Sequence, residues 1–144
     1  MIAEKKSFDI EIDIERTVAA PIEQVYEALI HRMGPGNKGA ENAPMPMVLE
    51  RRPGGRWFRD LGNDAGHLWG HVQSIRPPNL LEICGPLMMS LPVANNVIVR
   101  LKETESGTLV TFRHTAVGPV EAEWEDGMRE GWEDWLDDVE RDAE

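Results

Sequence analysis

From Phe8 to Glu15 apolar and charged residues alternate strictly, with Phe8, Ile10, Ile12 and Ile14 on one side and Asp9, Glu11, Asp13 and Glu15 on the other. A period of two gives an extended chain one apolar and one charged face, which predicts a half-buried antiparallel strand. At Pro21 the period changes. Ile22, Val25, Tyr26 and Leu29 recur at helical spacing, Pro21 stands where a first-turn residue needs no N–H, and Gly34-Pro35-Gly36 ends the helix. Residues 34–46 contain three Pro and three Gly and have no period, although a short second helix fits around Lys38–Asn42. Strands then follow at Met47–Arg51, Arg56–Asp60, His67–Ile75, Leu80–Cys84, from Pro92 or Val93 to Lys102, and at Thr108–Thr115. Pro53-Gly54-Gly55, Gly62-Asn63-Asp64, Pro77-Pro78-Asn79 and Glu105-Ser106-Gly107 punctuate them as turns. Beyond Gly118-Pro119 the residues Val120, Trp124, Met128, Trp132, Trp135, Leu136 and Val139 return to a 3.6-residue period.

A run of strands joined by tight turns, flanked by helices, indicates the α+β class with an antiparallel sheet of about six or seven strands. One face of that sheet needs an apolar cover. The C-terminal helix, roughly 30 Å long at 1.5 Å per residue, is the only element long enough. Its stripe of Trp124, Met128, Trp132 and Trp135 is expected to face the sheet and to be buried, with Glu125, Asp126, Glu133 and Asp137 in solvent. The expected architecture is a curved sheet wrapped around a long helix, a single domain over 1–144 with its core at about 8–140.

Three stretches resemble a known family. They are IERTVAAPIEQVYEALI; PGGRWFRD with GHLWGHVQSIRPPNLLEI; and GTLVTFRHTAVG followed by a helix containing Gly-Trp. In this order and spacing they are similar to the SRPBCC, or START-like, superfamily, and within it to the domain homologous to the activator of the heat-shock chaperone ATPase (AHSA-type). The resemblance implies a helix-grip fold with a cavity between sheet and C-terminal helix. Members of the superfamily bind lipids, hormones or polyketides, and some are cyclases. The chaperone activators carry an additional N-terminal domain that these residues do not contain, so chaperone activation is not the expected role.

Charge sharpens the picture. The formal net charge is −11. Residues 121–144 hold 12 acidic and 2 basic side chains, and the first 120 residues are nearly neutral. That distribution argues against nucleic acid as a partner, since phosphate binding needs clustered Lys and Arg. The acidic segment reads as the solvated face of the terminal helix, or alternatively as an acidic docking surface. No stretch approaches the roughly 20 apolar residues of a membrane span, no signal peptide is visible, and the expected setting is cytoplasmic. One cysteine, Cys84, excludes an internal disulfide framework and Cys-based zinc sites.

Candidate chemistry is sparse. There is no nucleophile elbow, phosphate loop or dinucleotide fingerprint. His67 and His71 on one strand would stand about 13 Å apart, too far to share a metal. No metal or cofactor is expected. Asp60 and Glu82 are candidate general bases of a cyclase-like reaction, and Arg56, Arg59, Arg100 and Arg113 are candidate partners of a ligand carboxylate. His114, on the apolar face with Val110 and Phe112, is either a satisfied core histidine or a polar handle in a cavity. The sequence places Trp57, Trp69, Val97, Val99, Phe112 and His114 on the concave face. Met45 and Met47 stand at the mouth of the cavity, with Met88 and Met89 as further lid candidates, and Trp124, Met128 and Trp132 line it from the helix. The leading expectation is a binding protein for a small hydrophobic molecule, such as an aromatic carboxylic or phenolic compound. A cyclase- or hydratase-like enzyme and a protein-interaction module are the alternatives, and a homodimer is left open.

Overall fold

The computed structural model describes residues 8–144. Its elements are β1 (Ile10–Val18), α1 (Ile22–Met33), a 3-10 turn (Ala40–Asn42), β2 (Val48–Leu49), β3 (Arg56–Gly62), β4 (Ala65–Arg76), β5 (Leu80–Gly85), β6 (Ala94–Thr104), β7 (Gly107–Val117) and α2 (Trp124–Ala143). The strands form one antiparallel sheet in the order β1-β7-β6-β5-β4-β3-β2. Every neighbouring pair except β1–β7 is consecutive in sequence, so short turns build most of the sheet. This is the α+β helix-grip arrangement, with both helices on the apolar face.

Alternation decides which residues face inward. On β6 the buried positions are Asn95, Val97, Val99 and Leu101, and on β7 they include Val110, Phe112 and His114. The helix α1 contributes Val25, Tyr26 and Leu29 to the same core. Two bulges re-aim the β3–β4 hairpin. Trp57 pairs with Gly70 but Phe58 with Leu68, so Trp69 is the extra residue on β4. A bulge bends its strand and redirects a side chain. Here it sets Trp69 beside Trp57, ring centroids 5.1 Å apart and nearly perpendicular. The strand crossing behind Trp69 is close. A Cβ on Gly85 would stand 2.5 Å from the Gly70 Cα, and Gly85 has φ +153°, so this position needs glycine.

The structure corrects the expected stripe of α2. Its fully buried residues are Leu136, Val139 and Ala143, all in the last two turns. Trp124, Met128, Trp132 and Trp135 are only half-buried. The phase was right but not the depth, because the first half of the helix stands off the sheet. Glu125, expected in solvent, is also half-buried and accepts the Glu11 backbone N–H at 2.7 Å.

Polar contacts hold the second half of α2 down. Arg16 of β1 reaches Asp137 at 2.5 Å and Glu140 at 3.5 Å. Arg32 of α1 grips Asp142 with two parallel bonds of 2.6 and 2.9 Å. The Arg32 hydrogen bond holds the Asp142 carboxyl below its ordinary pKa. Gln24 donates to the Ala143 carbonyl and the Ala19 N–H to Glu144. Much of the acidic segment is therefore turned onto the body of the protein rather than only into solvent.

Apolar burial and cavity formation set the cost of truncation here. Leu136→Ala is expected to lower unfolding free energy by about 2–4 kcal/mol, and Met128→Ala by less than about 1 kcal/mol. Denaturant titration of the two variants checks this; equal losses would mean that the helix is seated uniformly.

Candidate functional site

Where the first half of α2 lifts away, a partly open cavity of about 800 Å³ remains. Its floor is Trp57, Trp69 and His114 of the sheet. Its roof is Trp124, Gly127, Met128, Gly131, Trp132 and Trp135 of α2. One end is closed by the loop carrying Asn37, Lys38 and Met45, and the other by Leu87, Met88 and Met89. All five tryptophans of the chain line this one space.

Backbone ladders shape both ends. Asn37 and Met45 pair through the Met45 N–H at 2.9 Å and the Asn37 side-chain amide at 3.1 Å, pinching off the loop between them. The Leu87 N–H donates to the Trp69 carbonyl at 2.7 Å, which ties the methionine segment to the bulge. Met88 is left 71% exposed at the rim.

Hydrogen bonds fix three of the indoles in place. Trp57 donates to the Met33 carbonyl at 2.7 Å, Trp135 to the Arg32 carbonyl at 3.2 Å, and Trp132 to His114 Nδ1 at 3.0 Å. Because His114 Nδ1 accepts, its proton is on Nε2, which donates to Asn95 Oδ1 at 2.8 Å. The Asn95 amide in turn points at the Met89 sulfur, 3.8 Å away. A chain of donors and acceptors thus runs from α2 through β7 and β6 to the rim segment. Burial holds His114 neutral, its pKa lowered to about 4. Both ring nitrogens are engaged, so His114 is a positioning residue for Trp132 and not a free handle for a ligand. The free indole donors on the wall are those of Trp69 and Trp124, which have no hydrogen-bond partner among the described residues.

Of the residues singled out from sequence, Met45, Trp57, Trp69, His114, Trp124, Met128 and Trp132 come together on the wall. Met88 and Met89 join them at the rim. Met47, Val97, Val99 and Phe112 are buried in the core behind it. Phe112 backs the wall directly, its ring 4.7 Å from that of Trp132. Asp60 and Glu82 lie away from the cavity; Asp60 accepts the Gly62 N–H and Glu82 the Asn96 amide. Arg56 and Arg113 pair with Glu50 and with Glu11 and Asp13, and none of the four candidate arginines reaches the cavity. His67 and His71 are exposed, and no group of three metal-ligating side chains converges among the described residues. Sequence reasoning missed Asn37, Lys38 and the two helix glycines. The only signals were an aperiodic loop and two Gly four residues apart in an otherwise helical stretch.

A family model described as Activator of Hsp90 ATPase homolog 1-like protein matches residues 19–141. No curated protein matches. Among solved structures, a protein from Chromobacterium violaceum superposes with a TM-score of 0.73 at 15% identity, covering 92% of this chain and 96% of that one. An uncharacterised protein from Rhizobium leguminosarum does so at 0.69 and 22% identity, over 92% and 93%. The protein CalU16 from Micromonospora echinospora gives 0.62 and 25% identity, over 90% and 71%. These likenesses show the fold. No helix among the described residues is long and apolar enough to cross a membrane.

The state of His114 generates a pH prediction. Its folded pKa near 4 lies below the ordinary 6.5, so between these values the unfolded chain takes up a proton that the folded protein refuses. The stability linked to this group is complete above pH 6.5 and is lost as pH falls towards 4, at most about 3 kcal/mol in all. His114→Gln should flatten unfolding free energy against pH across that window; an unchanged slope would show that His114 is not buried neutral.

Proposed function

Because the chain belongs to the Activator of Hsp90 ATPase homolog 1-like family, we propose that it is a ligand-binding protein that holds one small, largely apolar molecule between the sheet and the raised half of α2. The observation that carries this reading is the gathering of all five tryptophans on one cavity of about 800 Å³. Ordinary core packing buries such rings against one another. Here three of them, Trp124, Trp132 and Trp135, keep part of their surface open to the cavity. Aromatic and methionine side chains on a concave wall suit an adaptable apolar site. The unpartnered N–H groups of Trp69 and Trp124 leave two polar points among the aromatic rings of the wall. For a compound of about 15–25 heavy atoms, micromolar affinity is within the usual yield per atom.

The cavity is furnished for binding more fully than for acid–base chemistry. His114 has no free nitrogen for a proton transfer, the candidate bases Asp60 and Glu82 lie outside the cavity, and the carboxylates on its wall are either exposed, as Glu41 and Asp134 are, or ion-paired, as Asp138 is.

Decan-1-ol, which does not absorb where indole does, serves as a neutral probe. It is expected to change tryptophan fluorescence saturably with a micromolar Kd. Gly131 lines the cavity, and a Cβ there would meet nothing within 4 Å, so the first carbon of a larger side chain has open space. Gly131→Leu should weaken decan-1-ol at least about tenfold while unfolding free energy is maintained or raised by about 1 kcal/mol, because Gly is a poor helix former. Unchanged affinity in a well-folded variant would place the binding elsewhere.

A further inference from the structure

We propose that the cavity selects a cationic amphiphile, an amine or quaternary ammonium head on an apolar body, with the head held between indole rings and the carboxylates of Asp134 and Glu41. The inference rests on the binding function just proposed and adds the charge of the ligand.

Most charges on the wall are already paired. Two cations line the cavity, Arg32 and Lys38, and three carboxylates, Glu41, Asp134 and Asp138. Arg32 is bound bidentately to Asp142 and also donates to the Gly36 carbonyl at 3.1 Å. Lys38 faces Asp138 at 3.7 Å, a carboxylate that Arg141 also holds at 2.9 Å. Neither cation is uncommitted. Glu41 and Asp134 have no ion pair or hydrogen bond among the described residues, and both side chains belong to exposed residues at the cavity. An anionic ligand would give up hydration to sit beside two like charges, where the cations among the described residues of the wall already face carboxylates. A cationic ligand meets the opposite conditions.

A cation is attracted to the face of an indole more than to any other side-chain ring. The N–H groups of Trp132 and Trp135 are bound to protein acceptors, so what these half-buried residues offer a ligand is ring carbon. The planes of the wall rings are set further by edge contacts, Trp132 to Trp135 at 5.6 Å and 88°, and Trp57 to Trp69 at 5.1 Å and 81°. Rings that need no reorganisation and carboxylates that lack partners are together a receptor for a desolvated ammonium group.

Three probes of equal chain length separate this inference from the function it rests on: decyltrimethylammonium, decanoate and decan-1-ol, each below its micelle concentration, titrated by tryptophan fluorescence and calorimetry. The ammonium probe is expected to bind at least about tenfold tighter than decanoate and to weaken with added salt. Asp134→Asn combined with Glu41→Gln should weaken the ammonium probe about fivefold or more and leave decan-1-ol unchanged. Glu103→Gln, an exposed site on β6 remote from the cavity, alters net charge without altering the wall and should leave all three probes unchanged. Decanoate binding as tightly as the ammonium probe, or a double variant without effect, overturns the inference while the cavity stands. Equal weakening by Glu103→Gln would assign the preference to the overall field of the protein and also overturn it. Saturable binding by none of the probes removes the cavity function and this inference with it.

Discussion

The rest of the structure depends on how α2 is seated. A helix of 20 residues lies across a sheet that curves, and only in its final turns are its side chains fully buried. Leu136, Val139 and Ala143 are sealed against α1 and β1, and there the acidic face of the helix meets Arg16 and Arg32. Towards its N-terminus the same helix is held by sparser contacts, the Glu125 carboxylate on the Glu11 N–H and Arg129 on the Asp13 carbonyl. Between these holds is a space that its own side chains do not fill. Gly127 and Gly131 keep that space open, since neither puts a side chain into it.

This seating explains the odd charge distribution. A segment with twelve acidic residues would repel itself if it projected into solvent alone. Set against two arginines and the backbone N–H groups of Glu11 and Ala19, part of that charge becomes a fastening. Exposed ion pairs contribute little singly, but Arg32 and Asp142 form a bidentate, partly buried pair, the geometry in which such a bond counts. The fastening is concentrated at one end, which is what lets the other end form a roof. The relay from Trp132 through His114 and Asn95 then fixes the roof to the floor without filling the gap.

Most of the fold was legible in the sequence because its signals are local. Alternation on β1 and β6, the Gly- and Pro-bearing turns, and the 3.6-residue period after Gly118 each specify their element directly, and the quoted motifs supplied the family. The inward face of the sheet was also legible at Trp57, Trp69 and His114, although Trp69 arrives there through a bulge that period-two reasoning cannot locate. Depth was not legible. Periodicity tells which side of α2 is apolar, but whether Trp124 is covered or merely sheltered depends on the curvature of a sheet formed by residues far away in sequence. Partnership was not legible either. Nothing adjacent to His114 in sequence says that Trp132 and Asn95 will take both its nitrogens, and nothing near Asp134 says that it will be left without a cation among the described residues.

The central claim is that α2 is anchored at its C-terminal end and spans a ligand cavity with the rest. Native-state amide hydrogen exchange, resolved along the helix, tests it most directly. The account predicts that the amides of Leu136 to Ala143 exchange only through global unfolding, while those of Met128 to Trp132 exchange through a smaller local opening. It further predicts that occupancy of the cavity slows the second group and leaves the first unchanged. Uniform protection along the whole of α2, unaffected by any apolar probe at saturating concentration, would contradict it.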